Sequence, residues 1–242
     1  MLNVQIFIPC YIDQFYPQTG MNMVKVLRAL GCKVVYNSEQ TCCGQPALNA
    51  GFKKYAEPIA KKFLNDFNTV DYIVTPSASC AGMVLNYYDS FFRNTSNHIK
   101  YRKIRNNMFE FSEFAVKILD LSKLKGTFNT RAVYHSSCSA MRETKTDSFA
   151  QDIIKGIEGL EILEMPLKDQ CCGFGGTFST EYEDVSIAIL KEKVDLIMQL
   201  EVDYLISADS SCLMQFESYF KKHNISIKTL HLADVMAKTL DI

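Results

Sequence analysis

Short apolar runs alternate with longer amphipathic stretches along the first half of the chain. Val4–Pro9 is apolar and β-branched and predicts a strand, whereas Met21–Leu30 carries apolar residues at helical spacing and predicts a helix stopped by Gly31. A second strand, a second helix and a third strand are predicted at Lys33–Tyr36, Lys53–Phe67 and Asp71–Pro76. Strands that alternate with helices in this way predict a parallel sheet with both faces covered.

The second half of the chain repeats this order of elements. Its strands are predicted at Arg131–His135, Glu161–Met165 and Asp203–Ala208, and its helices near Ser148–Gly156 and Tyr182–Gln199. The sequences repeat as well, because residues 71–80 align with residues 203–212 and share Asp, Tyr, Ser and Cys at equivalent positions. We therefore predict an α/β fold of two pseudo-equivalent units with mostly parallel sheets, divided into residues 1–125 and residues 126–242.

Eight of the nine cysteines form two quartets with matching spacing. Each quartet has one cysteine after the first predicted strand, a Cys-Cys-Gly sequence after the second and one cysteine after the third. The first quartet is Cys10, Cys42, Cys43 and Cys80, and the second is Cys138, Cys171, Cys172 and Cys212. Because ligands of parallel α/β sheets gather at the carboxyl ends of strands, four thiolates are predicted to converge on one metal site in each unit. Cys32 lies outside this repeat and is interpreted as a small buried hydrophobic residue.

Composition excludes several classes of protein. With 48% hydrophobic residues and a formal charge of −1, the 242-residue chain is too apolar for intrinsic disorder and lacks the basic excess of nucleic-acid-binding proteins. Its apolar runs are shorter than the roughly 18 residues that a membrane-spanning helix needs, and no secretory signal is recognisable, so a cytoplasmic location is predicted. Structural disulfides are not expected, because cytoplasmic thiols stay reduced and an odd number of cysteines leaves one unpaired. Metal binding, redox chemistry or burial are therefore the remaining roles for the nine cysteines.

The type of metal site depends on the spacing of the ligands. Thiolates suit either iron–sulfur clusters or zinc. Two cysteines of each quartet are adjacent in sequence, whereas structural zinc sites use C-x2-4-C pairs. A cluster with several irons accepts adjacent sulfurs on different metal atoms, but a single zinc ion would hold both in a strained chelate. The spacing therefore favours a cluster and leaves zinc open. Gly44 and Gly173 directly follow the adjacent cysteines and predict a tight turn there.

The complete pattern resembles the tandem cysteine-rich CCG domains of heterodisulfide reductase and of the iron–sulfur subunits of glycolate oxidase and anaerobic glycerol-3-phosphate dehydrogenase. It is most similar to the lactate utilization protein A family, also known as the YkgE type, over essentially the whole chain. The matching segments are Cys42–Ala47, Pro76–Cys80, Cys171–Ser179 and Cys212–Met214, together with His135 and Arg142 on either side of Cys138.

This resemblance implies an iron–sulfur electron-transfer subunit that acts in the oxidation of L-lactate to pyruvate. It implies one or two iron–sulfur clusters, of the 4Fe-4S type, held by the eight quartet cysteines, with zinc as an alternative in one unit. The implied partners are a ferredoxin-like iron–sulfur subunit and a third lactate-utilization subunit. Since the sequence shows no acid–base or hydride-accepting constellation of its own, we expect an oxidoreductase subunit whose lactate chemistry depends on those partners.

Some residues depart from the family pattern or have two interpretations. Heterodisulfide reductase domains end in C-x-x-C, but Met83 and Gln215 replace the last cysteine, which argues against five-cysteine clusters. His135 either hydrogen-bonds a cluster sulfur, replaces a ligand or is a structural residue at a strand end. Arg142 either balances the charge of a cluster or is an ordinary surface arginine. Residues 93–105 carry five basic residues and no acid, which predicts a solvated linker between the units or a docking surface for an acidic electron-transfer partner.

Two other functions stay open at this point. One is a zinc-binding structural or scaffold subunit. The other is a metal-free thiol–disulfide redox protein that uses an adjacent pair such as Cys42 and Cys43. Iron, sulfide and zinc analysis of the purified protein separates both from the iron–sulfur interpretation.

Overall fold

Two four-stranded parallel sheets form the framework of the computed structural model, which describes residues 1–124 and 126–240. The strands of the first sheet are β1 (Leu2–Ile6), β2 (Cys32–Tyr36), β3 (Tyr72–Thr75) and β4 (Met108–Glu110), and those of the second are β5 (Thr127–Tyr134), β6 (Glu158–Leu163), β7 (Tyr204–Ser207) and β8 (Lys228–His231). Their orders are β2-β1-β3-β4 and β6-β5-β7-β8, so the two sheets have the same topology.

Thirteen α-helices cover the sheets within the described ranges. They are α1 (Cys10–Phe15), α2 (Pro17–Ala29), α3 (Gln45–Asn49), α4 (Lys53–Asp66), α5 (Ala78–Gly82), α6 (Asp89–Phe92), α7 (His98–Asn107), α8 (Phe111–Ile118), α9 (Asp147–Lys155), α10 (Phe178–Glu181), α11 (Glu183–Ile197), α12 (Ser210–Lys222) and α13 (Leu232–Thr239). Short 3-10 turns lie at Leu121–Lys123 and Met198–Leu200, and π-helical segments at Met83–Tyr87 and Ala140–Thr144. In the part of the chain that the structure describes, no helix has the length and apolar character needed to cross a membrane.

The two units share one hydrophobic core. It contains Met23 of α2, Phe114 of α8, Ile153 of α9 and Met236 of α13, all of them buried. Helix α2 packs against α13, and α8 packs against α9, so each unit contributes the helix after its first strand and the helix after its fourth. This reciprocal pairing is the arrangement of a symmetric dimer interface formed within one chain. A polar bond also crosses the seam, because the Tyr16 hydroxyl donates to Glu217 Oε2 over 2.8 Å.

Polar side chains cap the N-termini of α5 and α12, the helices that follow the inner strands β3 and β7. Ser77 accepts a hydrogen bond from the backbone N–H of Cys80 at the start of α5, and Asp209 accepts one from Ser211 at the start of α12. Such caps satisfy N–H groups that have no partner inside the helix. They also fix the first turns of the two helices that carry Cys80 and Cys212.

The predicted α/β fold of two similar units is confirmed, and the sheets are wholly parallel. The strands β4 and β8 were not predicted, and the interpretation of residues 93–105 as a linker is wrong. Residues 98–107 form α7, whose Tyr101 and Ile104 are buried in the core of the first unit, while Arg102 and Lys103 are exposed. The docking role of these cations stays a prediction, as does the division of the chain at residue 125, which lies outside the described residues.

Candidate metal centres

The first quartet converges at the carboxyl ends of β1, β2 and β3. Cys10 begins α1, Cys42 and Cys43 lie in the loop between β2 and α3, and Cys80 lies in the first turn of α5. The Sγ atoms of Cys10 and Cys42 are 3.7 Å apart, and those of Cys43 and Cys80 are 3.4 Å apart. These separations are non-bonded, and none of the nine cysteines, all of which the structure describes, forms a disulfide.

The second quartet has the same arrangement in the second unit. Cys138 follows β5, Cys171 and Cys172 follow β6, and Cys212 lies in the first turn of α12. Cys138 and Cys171 lie close enough to shift the pKa of Cys138 upward, and the Sγ atoms of Cys172 and Cys212 lie within 4.8 Å of each other, so the same pairs of cysteines are neighbours as in the first quartet. The predicted convergence of each quartet is therefore present, while the role of the thiols as ligands stays a prediction.

The turn after each adjacent pair needs glycine. Gly44 and Gly173 have φ angles of 85° and 86°, in the left-handed region. The turn points the N–H of Gly44 at Cys42 Sγ and the N–H of Gly173 at Cys171 Sγ, both over 3.3 Å. At Gly173 a side chain is also excluded sterically, because a Cβ would lie 2.6 Å from the backbone oxygen of Ser186.

Hydrogen bonding selects one thiol of each quartet as the most acidic. The hydrogen bonds from Cys10, Cys43 and the Gly44 N–H lower the pKa of Cys42 to about 3. The equivalent bonds, beginning with that from Cys138, lower the pKa of Cys171 to about 2. Donation to Cys42, followed by burial, raises the pKa of Cys10. Each quartet thus stabilises one thiolate in the metal-free protein.

Both quartets line one cavity of about 180 Å³ at the seam between the units. Asp209 ties the units together beside it, because its Oδ2 accepts a hydrogen bond from the Ser79 N–H over 3.0 Å and its backbone forms an isolated bridge with Ser77. Across the cavity mouth the rings of Tyr11 and Phe174 meet edge to face at 5.5 Å. The eight cysteines therefore line one shared, partly open cavity instead of two separate surfaces.

Comparison with known proteins agrees with this duplicated architecture. A cysteine-rich CCG domain model matches residues 4–85 and 132–217. Lactate utilization protein A 1 of Bacillus anthracis is 36% identical over 241 residues, which covers 99% of this chain and all of the relative. Lactate utilization protein A of a Geobacillus strain is 36% identical over 97% of this chain and 99% of its own length. The chain belongs to the lactate utilization protein A family.

A solved structure supports the fold of this family member. A crystal structure of a hypothetical protein from Helicobacter pylori superposes with a TM-score of 0.57 at 15% sequence identity, covering 99% of this chain. The chain spans about half of that protein, 49% of its length. At this level of identity the likeness shows the fold alone.

His135 lies against the second quartet in this lactate utilization protein A homologue. It is fully buried, and one of its ring nitrogens lies within 4.8 Å of the Sγ atoms of Cys172 and Cys212. Lys193 Nζ lies 3.3 Å from His135 Nδ1, whereas His135 Nε2 is buried without a partner among the described residues. Burial and the charge of Lys193 lower the pKa of His135 to about 3, so the imidazole is neutral.

The other predicted residues lie outside the metal centres or behind them. Arg142 is exposed, and its Nη2 donates to the backbone oxygen of Asp169 over 3.1 Å, which supports the surface interpretation. Cys32 is 4% exposed within the shared core, as predicted. Met83 is buried in the first unit, and Gln215 Nε2 donates to Ser186 Oγ over 2.8 Å in the second.

Lys193 is one of the residues near the site that the sequence interpretation missed. It is fully buried, and its Nζ donates to the backbone oxygen of Gln170, just before Cys171, over 2.7 Å. Burial lowers the pKa of Lys193, and the neighbouring thiolates oppose that shift. The available signal was its spacing in α11, because it falls on the stripe of buried positions Ser186, Leu190, Lys193, Val194 and Ile197.

Proposed function

We propose that the chain is an iron–sulfur electron-transfer subunit of a multi-subunit system that oxidises L-lactate to pyruvate. The observation that carries the proposal is the duplicated quartet, which brings eight thiols to one cavity at the carboxyl ends of two equivalent sheets. The name of the relatives, lactate utilization protein A, supports the lactate system.

The donor set fits an iron–sulfur group. Cysteine thiolates are its usual ligands, and backbone N–H donors to sulfur, such as those of Gly44 and Gly173, help to set its potential. In this proposal Cys10, Cys42, Cys43 and Cys80 hold the first group, and Cys138, Cys171, Cys172 and Cys212 hold the second. Such a group supplies one-electron transfer when bound. The surrounding protein limits access of water, since Cys43, Cys80, Cys172 and Cys212 are buried.

The removal of hydrogen from lactate is assigned to partner subunits. Conversion of lactate to pyruvate releases two electrons and two protons, and it needs a first acceptor that takes both electrons. The resemblance implies a ferredoxin-like iron–sulfur subunit and a third subunit, and we place that acceptor there. This chain then receives the electrons one at a time and passes them on.

Zinc is a second candidate, because two sulfur–sulfur distances in the first quartet are close to those of a zinc site. A tetrahedral zinc ion with bonds of about 2.3 Å places its sulfur ligands roughly 3.8 Å apart. The sulfur separations of 3.7 and 3.4 Å in the first quartet are close to that value. Thiolates bound to different irons of a cluster lie farther apart than ligands of a single ion. No three of the four sulfurs in the first quartet, all within the described ranges, lie within 4.8 Å of one another, so the two pairs fit zinc but the quartet as a whole is wider than a tetrahedral zinc site.

Anaerobic purification with iron, sulfide and zinc analysis and electron paramagnetic resonance tests the proposal. We expect iron and sulfide in the wild-type protein and a signal on reduction. Cys42→Ser should remove the metal of one site, whereas the matched control Cys32→Ser should keep both sites, because Cys32 lies in the core. A colourless protein with zinc in both sites would overturn electron transfer and leave the structural zinc role.

Two further measurements complete the test. With partner subunits present, lactate should reduce the iron–sulfur signal of this chain, and omission of the partners should abolish that reduction. A metal-free dithiol mechanism predicts instead that the wild-type protein contains no metal. It also predicts that Cys42→Ser abolishes the dithiol reactivity of the protein. Retained reactivity together with lost metal would count against that mechanism.

A further inference from the structure

Equivalent positions behind the two quartets carry different residues. Phe7 and His135 each lie three residues before the first cysteine of their quartet. Their backbone N–H groups make the same bond to the neighbouring inner strand, from Phe7 to the Val74 oxygen over 2.9 Å and from His135 to the Ile206 oxygen over 2.7 Å. The two residues are therefore structural counterparts, and an aromatic hydrocarbon ring in the first unit corresponds to an imidazole in the second.

Phe63 and Lys193 form a second pair of counterparts. The buried face of α4 contains Ala56, Ala60, Phe63 and Leu64, and the buried face of α11 contains Ser186, Leu190, Lys193 and Val194 at the same spacing. Phe63 and Lys193 each contact the residue that precedes the quartet of their own unit. The rings of Phe63 and Phe7 meet edge to face at 5.0 Å, and Lys193 Nζ lies 3.3 Å from His135 Nδ1. An apolar pair in the first unit is thus a polar, cationic pair in the second.

The difference extends to the support of the Cys-Cys-Gly turn. In the second unit Gln215 Nε2 donates to Ser186 Oγ over 2.8 Å, and Ser186 Oγ donates to the Gly173 oxygen over 2.8 Å. The corresponding residues of the first unit are Met83 and Ala56, which are buried and cannot form such a chain. Polar groups therefore lie behind the second quartet at four positions where the first has hydrocarbon.

The contact with Lys193 decides how His135 acts. An ammonium group only donates hydrogen bonds, so Nδ1 of His135 must accept and its proton must lie on Nε2. That Nε2–H is buried and has no acceptor among the described residues. One ring nitrogen lies within 4.8 Å of the sulfurs of Cys172 and Cys212, so a sulfur-containing group bound at the second quartet is the acceptor that this site would offer. An Nε2 that carries a proton cannot also bind a metal ion, so the geometry favours a hydrogen-bond donor over a ligand.

We infer that the two metal centres have different reduction potentials and that the second centre is the easier to reduce. This inference rests on the proposed electron-transfer function. The Nε2–H of His135 donates to a sulfur of the second centre, and Lys193 fixes that tautomer and places a positive charge beside it. Hydrogen bonds to sulfur and nearby positive charge stabilise the reduced, more negative form of an iron–sulfur centre. The first centre has only Phe7 and Phe63 at these positions, so an electron that reaches both centres resides on the second.

Nuclear magnetic resonance of histidine tests the donor role independently of any redox chemistry. We would label histidine with 15N and compare the reduced, metal-free protein with the cadmium-loaded protein. The expected result is a proton on Nε2 of His135 in both samples and no direct coupling between cadmium and this ring. A proton on Nδ1, or a ring nitrogen bound to cadmium, would overturn the inference. Failure of both quartets to retain cadmium would refute the metal-site proposal, while the tautomer of the metal-free protein would still test the role of His135.

Redox titration tests the order of the two centres. Cys171→Ser isolates the first centre and Cys42→Ser isolates the second, each followed by its paramagnetic signal after anaerobic reconstitution. The second centre should have the higher midpoint potential. Equal potentials, or a higher potential for the first centre, would overturn the order, and a protein that binds no iron would overturn the proposed function instead.

Substitution of the polar pair completes the test. In the Cys42→Ser background, Lys193→Met should lower the ratio of reduced to oxidised second centre at a fixed potential about tenfold, which corresponds to a midpoint potential lower by about 59 mV for a one-electron couple. The double variant His135→Phe, Lys193→Phe reproduces the apolar pair that the first unit accommodates, and it should lower that ratio further. The control Phe63→Leu should leave the second centre unchanged. An unchanged potential in both test variants, with metal content retained, would contradict the inference.

Discussion

Gly173→Ala tests whether α11 packs against the second Cys-Cys-Gly turn as closely as the structure shows. An alanine at a left-handed φ of 86° costs about 1–2 kcal/mol from the backbone alone. Its Cβ would also lie 2.6 Å from the Ser186 oxygen, a backbone atom that cannot rotate away, and such overpacking adds about 1–3 kcal/mol. We therefore expect a loss of about 2–5 kcal/mol in the free energy of unfolding. Urea unfolding of the reduced, metal-free protein measures it without a contribution from metal binding.

Gly44→Ala is the matched control for this prediction. Gly44 has nearly the same φ, 85°, but its added Cβ would meet Ile59 Cγ2 at 3.4 Å, which is ordinary contact with a side chain. Only the backbone cost of about 1–2 kcal/mol is then expected. Equal losses in the two variants, or a larger loss for Gly44→Ala, would refute the close approach of α11 to Gly173. A smaller metal content of the second site should accompany the larger loss.

Three further substitutions probe the seam, the core and a buried carboxyl. Burial raises the pKa of Glu110 from its ordinary value of 4.5 to about 7, so the folded state holds a proton that the unfolded chain releases. Stability should fall by up to about 3 kcal/mol as the pH rises from 4.5 to 7, and Glu110→Gln should flatten that slope in urea titrations. Asp209→Asn weakens the charged acceptor of the Ser79 N–H and should lower the free energy of unfolding by about 1–2 kcal/mol, measured in urea. Cys32→Ala should cost about 1 kcal/mol in the same assay and leave the metal content unchanged.

The three strands that precede the cysteines of each unit could be predicted from the sequence, whereas the edge strands β4 and β8 could not. β1, β3, β5 and β7 lie in the interior of their sheets, and they bury apolar residues such as Val4, Ile73, Val133 and Leu205 because both faces of a central parallel strand are covered. β4 and β8 have only three and four residues and include Glu110 and His231, which cap the following helices. Their pairing depends on tertiary contact with β3 and β7, so no local pattern marks them.

The cysteines of the site were predictable because duplication shows them twice, whereas their surroundings were not. A repeat identifies the residues that the two units have in common, but it does not predict the role of residues that differ between them. His135 was found only through its distance from Cys138 along the chain. Lys193 stands far from any cysteine in sequence and on a face of α11 that is otherwise apolar or small. Charged residues on such a face are rarely fully buried, so its place beside His135 required the fold.

His135 and Lys193 of the second unit, which correspond to Phe7 and Phe63 of the first, depend on each other for hydrogen bonding. A lysine in place of Phe63 alone would lack the imidazole acceptor that Lys193 has in His135, and a histidine in place of Phe7 alone would leave both ring nitrogens without partners in a hydrocarbon pocket. Together, Lys193 satisfies His135 Nδ1 and the Gln170 oxygen, and only Nε2 is left without a protein partner. A buried donor that stays unsatisfied within the protein destabilises the fold unless something at the site accepts it. The imidazole of His135 lies beside Cys172 and Cys212, so we expect the group that accepts the Nε2 hydrogen bond to belong to the proposed metal centre.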